Sequence, residues 1–319
     1  MDEGRRAALP AAGPARNGLT QPPLATPLYV IFNPAAGRGR GSRLIGPVLQ
    51  ALGGGVSHGV SRAPGEEIAL AEKAIADGCR TLVAVGGDGT WGNVAGAILR
   101  SGQPVSLGLV PGGTGSDFAK SLGIPDDDVA GCARIVRAGQ VRLIDVGRIE
   151  DHYFLNVAGF GFDVAVIEES RHARLLRGAL LYLVCALRQL YSYPGLRLGL
   201  FVEGVFRGRE RTLMVVIANA RVFGGGFRIA PTASLDDGLL DGVVFRHVPL
   251  HRRLPLLVRL RQGTHAAAPE VSMTRARSYR LTFDTPPAYE TDGEWNQARA
   301  NDLLIETLPR ALRIIVPPS

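Results

Sequence analysis

The sequence predicts two domains of different class: an N-terminal α/β domain on a parallel sheet, then a β-rich, sandwich-like domain. Three observations carry this. The chain has 319 residues, about twice the roughly 150 residues of a typical domain. A pattern of apolar strand, glycine-rich loop and helix recurs three times before residue 146, the grammar of parallel α/β layering. Beyond that point helical periodicity nearly vanishes, and short strand-like runs bounded by turn residues take over.

The elements follow in order. Residues 1–27 hold Pro10, Pro14, Pro22, Pro23 and Pro27 and no hydrophobic period, so a disordered tail is expected there. The apolar run 28–32 is the first strand. It enters a loop containing Asn33, Pro34, Gly37, Gly39 and Gly41, and a helix over 42–52 follows. A second strand, 81–85, enters Gly86-Gly87-Asp88-Gly89-Thr90 and a helix over 91–100. A third, 105–110, enters Pro111-Gly112-Gly113-Thr114-Gly115 and a helix over 116–122. Strands this uniformly apolar fit a sheet covered on both faces. In the second half, strands are expected at 154–157, 197–203, 212–219, 239–245, 280–284 and 312–316, with helices at 164–192 and 249–262. The domains are thus 28–146 and 147–316.

Composition narrows the function. Hydrophobic residues make up 46% of the chain and charged residues 20%, which excludes wholesale disorder. The 36 basic against 29 acidic residues leave a net charge of +7, and only Lys73 and Lys120 are lysines, so the cationic groups are guanidinium groups suited to phosphate. Such a charge fits nucleic acid, an anionic membrane or a phosphorylated substrate. No nucleic-acid motif is present and the basic residues are dispersed, so no nucleic-acid partner is expected. Cys79, Cys132 and Cys185 form no CxxC pair, so reduced, cytoplasmic thiols are the default. The run 178–187 is too short to span a membrane, which takes about 20 apolar residues. Arg5 and Arg6 have no apolar core behind them, so no signal peptide is expected.

The glycine loops carry the chemistry. Glycine lets backbone approach a ligand closely, and the helix behind each loop directs free N–H groups and its positive end at it. Phosphate is the natural occupant, and three such loops at one end of a sheet favour a phosphate-rich ligand over three empty turns. Neither lysine stands in a P-loop motif, and Gly37, Gly39 and Gly41 have the wrong third spacing for a dinucleotide fingerprint. Asp88 distinguishes the second loop. A carboxylate there repels phosphate unless a cation intervenes, so Asp88 implies Mg²⁺ or a role aligning the reacting groups.

These loops resemble those of the diacylglycerol kinase catalytic superfamily, which includes soluble bacterial diacylglycerol kinases, sphingosine kinases and ceramide kinases. The resemblance rests on five elements in order: Asn33-Pro34-x-x-Gly37; residues 86–90 with Asn93 behind them; Pro111 to Ala119; Ser234 to Leu239 with Asp237 and Gly238; and Thr291-Asp292-Gly293-Glu294. It spans about 28–316. The second element alone is shared with NAD kinases. The resemblance implies an ATP-dependent lipid kinase with its site in the interdomain cleft. Asn33, Pro34 and Gly37 are implied to face the nucleotide. Gly86, Gly87, Asp88, Gly89, Thr90, Trp91 and Gly92 are implied to carry its phosphates. Thr114 and Ser61 fall where relatives place nucleotide-contacting threonines. Glu294 is implied to take the proton of the lipid hydroxyl, with Asp88 holding Mg²⁺. Ser234, Asp237 and Leu239 match a structural Mg²⁺ site, implied to be held by one aspartate and two backbone carbonyls, that stiffens the second domain. The residues themselves leave other readings open: hairpin turns at 236–238 and 292–294, and either helix capping or acceptor ordering for Asp117.

The acceptor implied is a lipid such as diacylglycerol. The segment 171–193 carries Arg171, Arg174, Arg177 and Arg188 around Leu180, Leu181, Tyr182, Leu183 and Val184. Together with Arg252, Arg253, Arg259 and Arg261 it is the candidate for contact with an anionic membrane at its inner face, against the plainer reading of a helix packed on its own domain. The rival functions are a NAD kinase-like small-molecule kinase and a non-catalytic nucleotide- or lipid-binding module.

Overall fold

The computed structural model describes residues 27–172 and 179–318. The tail expected over 1–27 lies, but for Pro27, outside the described residues, as do Arg174 and Arg177. In chain order the first half comprises β1 (Leu28–Phe32), α1 (Ala36–Ala51), β2 (Ser57–Val60), α2 (Glu66–Ala76), β3 (Thr81–Gly86), α3 (Asp88–Ser101), β4 (Ser106–Pro111), α4 (Asp117–Ser121) and α5 (Val129–Ala138). The second half comprises β5 (Val141–Ile149), β6 (His152–Phe154), β7 (Val157–Gly161), α6 (Phe162–His172), α7 (Ala179–Ser192), β8 (Leu196–Val202), β9 (Val205–Ala218) and β10 (Leu240–Arg246). It continues with α8 (Leu250–Gln262), a 3₁₀ turn, β11 (Val271–Ala276), β12 (Ser278–Phe283), β13 (Ala288–Thr291), β14 (Glu294–Gln297) and β15 (Asp302–Ile315).

The N-terminal domain is the expected parallel α/β layer. Its strands run in the order β2-β1-β3-β4, all parallel. Every residue of β3 and β4 is buried, as strands covered on both faces require. α1 packs with α5 and α2 with α3. The α1 range hides a break: Gly37, Arg38 and Gly39 are left-handed, so regular helix starts only after the glycine loop. The sequence reading missed β2, α2, α5 and β5.

The C-terminal domain is the expected β-rich sandwich, with one core lined by Phe154, Phe160, Leu281 and Tyr289 and another by Met214, Val243, Phe245 and Leu256. The strand expected at 154–157 is two strands, β6 and β7, and the helix expected at 164–192 is α6 and α7. The last strand crosses between the domains. β15 pairs with β12 through its first half, and its end pairs in parallel with β4 at Arg313–Ser106 and Ile314–Leu107. Leu312 and Ile314 lie in the N-terminal core, while β5 follows β15 along both halves. This two-stranded ribbon fixes one domain against the other and holds the cleft between them at a set width.

Candidate active site

The three glycine loops pack backbone against backbone. Gly112 N–H and Gly113 N–H donate to Gly86 O at 2.7 and 3.1 Å. A Cβ on Gly113 would stand 2.8 Å from Gly87 Cα, and one on Gly37 would stand 2.2 Å from Gly112 O. Side chains at these two positions would prise the loops apart. Asn33 ties the first loop to the second, its Nδ2 donating to Thr90 Oγ1 at 3.0 Å. Together the loops floor a cavity of about 700 Å³ whose opposite wall is the β13–β14 hairpin of the C-terminal domain.

Asp88 opens α3. Its Oδ2 accepts the N–H of Asp117 at 3.2 Å and its Oδ1 that of Phe118 at 3.0 Å, so it caps α4 across the loops. Asp117 is 4% exposed; its Oδ2 accepts Gly225 N–H at 2.7 Å and burial raises its carboxyl above the usual range. It therefore fastens the third loop to the 223–227 turn rather than serving as the cap of α4. Across the cavity, Asp292 accepts N–H bonds from Leu155, Asn156 and Val157 at 2.7, 2.8 and 2.9 Å. Burial nonetheless pushes its carboxyl up to about 7, against those donors. Asp292 and Gly293 have φ of 51° and 89°, which throws Glu294 forward from the turn. Glu294 is exposed, and its Oε1 lies 2.9 Å from where a Gly89 Cβ would stand. The C-terminal hairpin thus delivers a carboxylate onto the N-terminal phosphate loop.

Asn33, Gly37, Gly87, Asp88, Gly89, Thr90, Gly92, Thr114 and Glu294 line the cavity. Pro34, Ser61, Gly86 and Trp91 do not. Trp91 belongs to the core: it is fully buried and its indole donates to Ala84 O at 3.1 Å. It follows its neighbours in sequence, but helical rotation turns it inward. Gly86 stays in β3 beneath Thr90. Ser61 is 4% exposed and donates to Glu67 Oε1 at 3.1 Å, so it bears on the cavity only through Glu67, which lines it.

Sequence reasoning missed Glu67, Tyr153, Gly96 and Arg100, all in the lining. For α3 the signal was present: Gly89, Gly92, Gly96 and Arg100 recur at helical spacing and share the cavity face. The lining holds the carboxylates of Glu67, Asp88, Asp151, Asp292 and Glu294 against the single guanidinium of Arg100. A polyphosphate enters such a cavity only with its charge offset, so the donor set fits a divalent cation arriving with the phosphates. Asp88 is placed for it through Oδ2, which retains a lone pair beyond the one given to α4, while Oδ1 also accepts from Asn156 Nδ2 at 3.5 Å.

At the second implied metal site, one aspartate with the backbone carbonyls of Ser234 and Leu239, the carboxylate is already engaged. Asp237 Oδ2 is paired with Arg275 Nη2 at 2.7 Å, and its Oδ1 accepts Leu239 N–H at 3.0 Å. Ser234 Oγ donates to Asp236. The guanidinium of Arg275 thus competes with a cation for the one carboxylate of that set.

On the side proposed to meet lipid, Leu183, Val184, Leu187 and Tyr191 of α7 and Leu250, Leu254 and Val258 of α8 are exposed, at helical spacing on packed neighbours. Arg253 is not part of that surface. It is buried and donates to the carbonyls of Val248, Leu190 and Tyr193, locking α8 to α7. Among the described residues no helix is long and apolar enough to cross a membrane.

Comparison with known proteins agrees across both domains. Residues 27–149 match the diacylglycerol kinase catalytic domain, and residues 156–316 match the YegS C-terminal NAD kinase beta sandwich-like domain. The chain is 38% identical over 255 residues to a "Probable lipid kinase YegS-like" of Pseudomonas aeruginosa, covering 79% of this chain and 82% of that one. It is 30% identical over 253 residues to a diacylglycerol kinase of Mycobacterium tuberculosis, covering 78% and 80%. The fold matches the crystal structure of a diacylglycerol kinase from Bacillus anthracis with a TM-score of 0.68 at 18% identity, covering 91% and 97%. It also matches, at 0.51 and 14% identity over 90% and 93%, an NAD kinase from Archaeoglobus fulgidus solved with ATP. With glycine loops, hairpin and both domains in place, this chain belongs to the diacylglycerol kinase catalytic domain family of lipid kinases.

Proposed function

We propose that this chain transfers the γ-phosphoryl group of ATP to a hydroxyl of a membrane lipid of the diacylglycerol type. The observation that carries the reading is the placement of the Glu294 carboxylate against Gly89, on the far side of the cleft from its own domain's core. The free N–H groups at the start of α3 and the loops around it cradle the phosphates and meet the charge that develops on the transferring group. Asp88, with the phosphates of ATP, would hold Mg²⁺, and the ion would offset the negative charge of ATP and of the lining carboxylates. Glu294 accepts the alcohol proton as the oxygen attacks. Asp292, anchored by three N–H donors, fixes the turn from which Glu294 projects. The apolar α7–α8 face, edged by Arg252, Arg259 and Arg261, rests peripherally on an anionic membrane at its cytoplasmic side, where the acceptor resides.

The test is incubation with radiolabelled ATP and Mg²⁺ against diacylglycerol, a sphingoid base, phosphatidylglycerol and NAD, followed by chromatography. Label on a lipid supports the reading and the panel names the acceptor. Label on NAD alone replaces it with the small-molecule kinase reading, and ATP binding without transfer to any acceptor replaces it with the binding module.

A further inference from the structure

Beneath the Glu294 hairpin lie two carboxyl groups that the chemistry above does not use. Asp163 opens α6, and Glu290 sits in β13, two residues before Asp292. They are 5% and 2% exposed. Each commits one oxygen locally: Asp163 Oδ1 accepts Val164 N–H at 2.9 Å, and Glu290 Oε2 accepts Gly293 N–H at 2.6 Å. The other two, Asp163 Oδ2 and Glu290 Oε1, are buried without a hydrogen-bond partner. Both close on one small space. Gly159 of β7 pairs with Glu290, and a Cβ on it would stand 1.8 Å from Asp163 Oδ2 and 2.7 Å from Glu290 Oε1. Glycine leaves the room in which the two oxygens meet.

The charges around this recess do not relieve it. Asp292 and Glu294 face Glu290 from the hairpin, and the Tyr193 phenol faces Asp163 from beyond α7. Arg171 at the other end of α6 stands over the Trp295 ring, 4.9 Å from its centroid. Among the described residues no cation pairs with either carboxyl. Two bare carboxylates here would repel in a low-dielectric setting, whereas one proton between them turns repulsion into a charge-assisted hydrogen bond. We propose that Asp163 and Glu290 share a single proton, and that this shared proton positions the turn 291–294, and with it Glu294, from below. The positioning half rests on the role given to Glu294 above. The route is short: Glu290 Oε2 holds the N–H of Gly293, the residue before Glu294. Burial pushes Asp163 up to about 7, and burial with the facing Asp163 raises Glu290 well above the ordinary carboxyl range. Since the folded state raises these values, the stability that the pair contributes is full at low pH. It is lost as pH rises through about 7.

The experiment uses the full chain and begins without substrate. Trp295 lies in β14 and is one of only two tryptophans, the other being the core residue Trp91. Between about pH 6 and about pH 9 the Trp295 fluorescence should change and Tm should fall in the wild type, with the fluorescence change absent in Trp295→Phe. Glu290→Gln and Asp163→Asn each put an amide donor opposite the remaining carboxylate at every pH, so both should flatten the two profiles. Asp292 is intact in these variants, so a titration that persists in them belongs to Asp292 and overturns the proposal, as does a flat wild-type profile. Single-turnover transfer with ATP and diacylglycerol should fall with the same midpoint in the wild type, at constant ATP affinity, and lose that limb in both variants. Transfer that ignores the fluorescence midpoint overturns the positioning role. The fluorescence arm needs no acceptor, so it judges the shared proton even where lipid phosphorylation fails.

Discussion

Gly89→Ala separates the placement of Glu294 from the stability of the fold. Gly89 lies in the first turn of α3 at ordinary helical φ, so alanine is conformationally welcome and should stabilise the helix by about 0.5–1 kcal/mol. Its Cβ, however, would stand 2.9 Å from Glu294 Oε1 and 3.8 Å from Cδ, with no other neighbour within 4 Å. The carboxylate, at the free end of a flexible chain, must yield by several tenths of an ångström or turn away. A displacement of about 1 Å in a reacting group costs on the order of 10²-fold in rate. The expected outcome is an unchanged or raised Tm with single-turnover transfer lowered about 10²-fold. Glu294→Gln should lose about 10²–10⁴-fold while ATP affinity holds. The double variant distinguishes the cause: if the methyl group acts through Glu294, adding Gly89→Ala to Glu294→Gln should cost little more. Full additivity would mean that the methyl group disturbs the phosphate cradle instead, and wild-type transfer by Gly89→Ala would refute the placement altogether.

Asp88→Asn should lower transfer by about 10²-fold or more, and should lower Tm slightly, because asparagine keeps an acceptor for only one of the two α4 N–H groups; rate and melting on one preparation check both. Trp91→Phe should cost about 1–3 kcal/mol of stability by removing the indole bond to Ala84 and opening a void, with ATP affinity of the folded protein unchanged in calorimetry. Arg275→Gln should lower Tm, read by thermal scanning, chiefly by unpairing the buried Asp241 and less by freeing the more exposed Asp237. Leu187→Gln with Leu254→Gln should weaken sedimentation with phosphatidylglycerol vesicles about tenfold at unchanged Tm, and rising salt should weaken the wild type likewise.

What the sequence discloses follows from how local its signals are. β1, β3 and β4 are read because strands buried on both faces are continuously apolar, and the glycine loops because their composition has no other cheap use. β2 is a four-residue edge strand, Ser57-His58-Gly59-Val60, with little apolar content, so nothing in its composition separates it from a loop. β5 carries Arg142, Asp145 and Arg148 and is a strand through its long pairing with β15, from Ile305↔Ile149 to Ile315↔Val141, a contact so distant in sequence that no local pattern records it. The same distinction runs through the site. Gly87, Gly89 and Thr114 are legible from the loops alone. Trp91 misleads because adjacency in sequence is not adjacency on a helix face. Glu67 and Tyr153 reach the cavity from elements whose position only the folded chain sets. The buried partners Asp163 and Glu290 are 127 positions apart and meet because β7 pairs with β13.

Charge shows most plainly why a count cannot stand in for a placement. A net +7, almost all of it arginine, suggests that guanidinium groups receive the phosphates. The cavity reverses that expectation, since five carboxylates and one arginine line it. Many of the arginines are held on the surface by acidic neighbours, as in Arg134–Asp128, Arg142–Asp236, Arg246–Glu210 and Arg280–Asp302. Exposed pairs of this kind add little stability, but they cancel charge locally. The α8 segment departs from the pattern in part: Arg252 is paired with Glu270 and Arg253 is buried, but Arg259 and Arg261 are exposed beside an apolar stripe, in a segment 250–262 with no acidic residue. Two guanidinium groups of α8 left unneutralised among the described residues, Arg259 and Arg261, therefore bear on the surface that would meet a membrane. On the proposed reading, the nucleotide site would rely on backbone N–H groups and on a cation that accompanies the phosphates. A site arranged in this way does not attract bare polyphosphate, and its negative wall around Glu294 would favour the protonated form of that carboxyl once it had taken the alcohol proton.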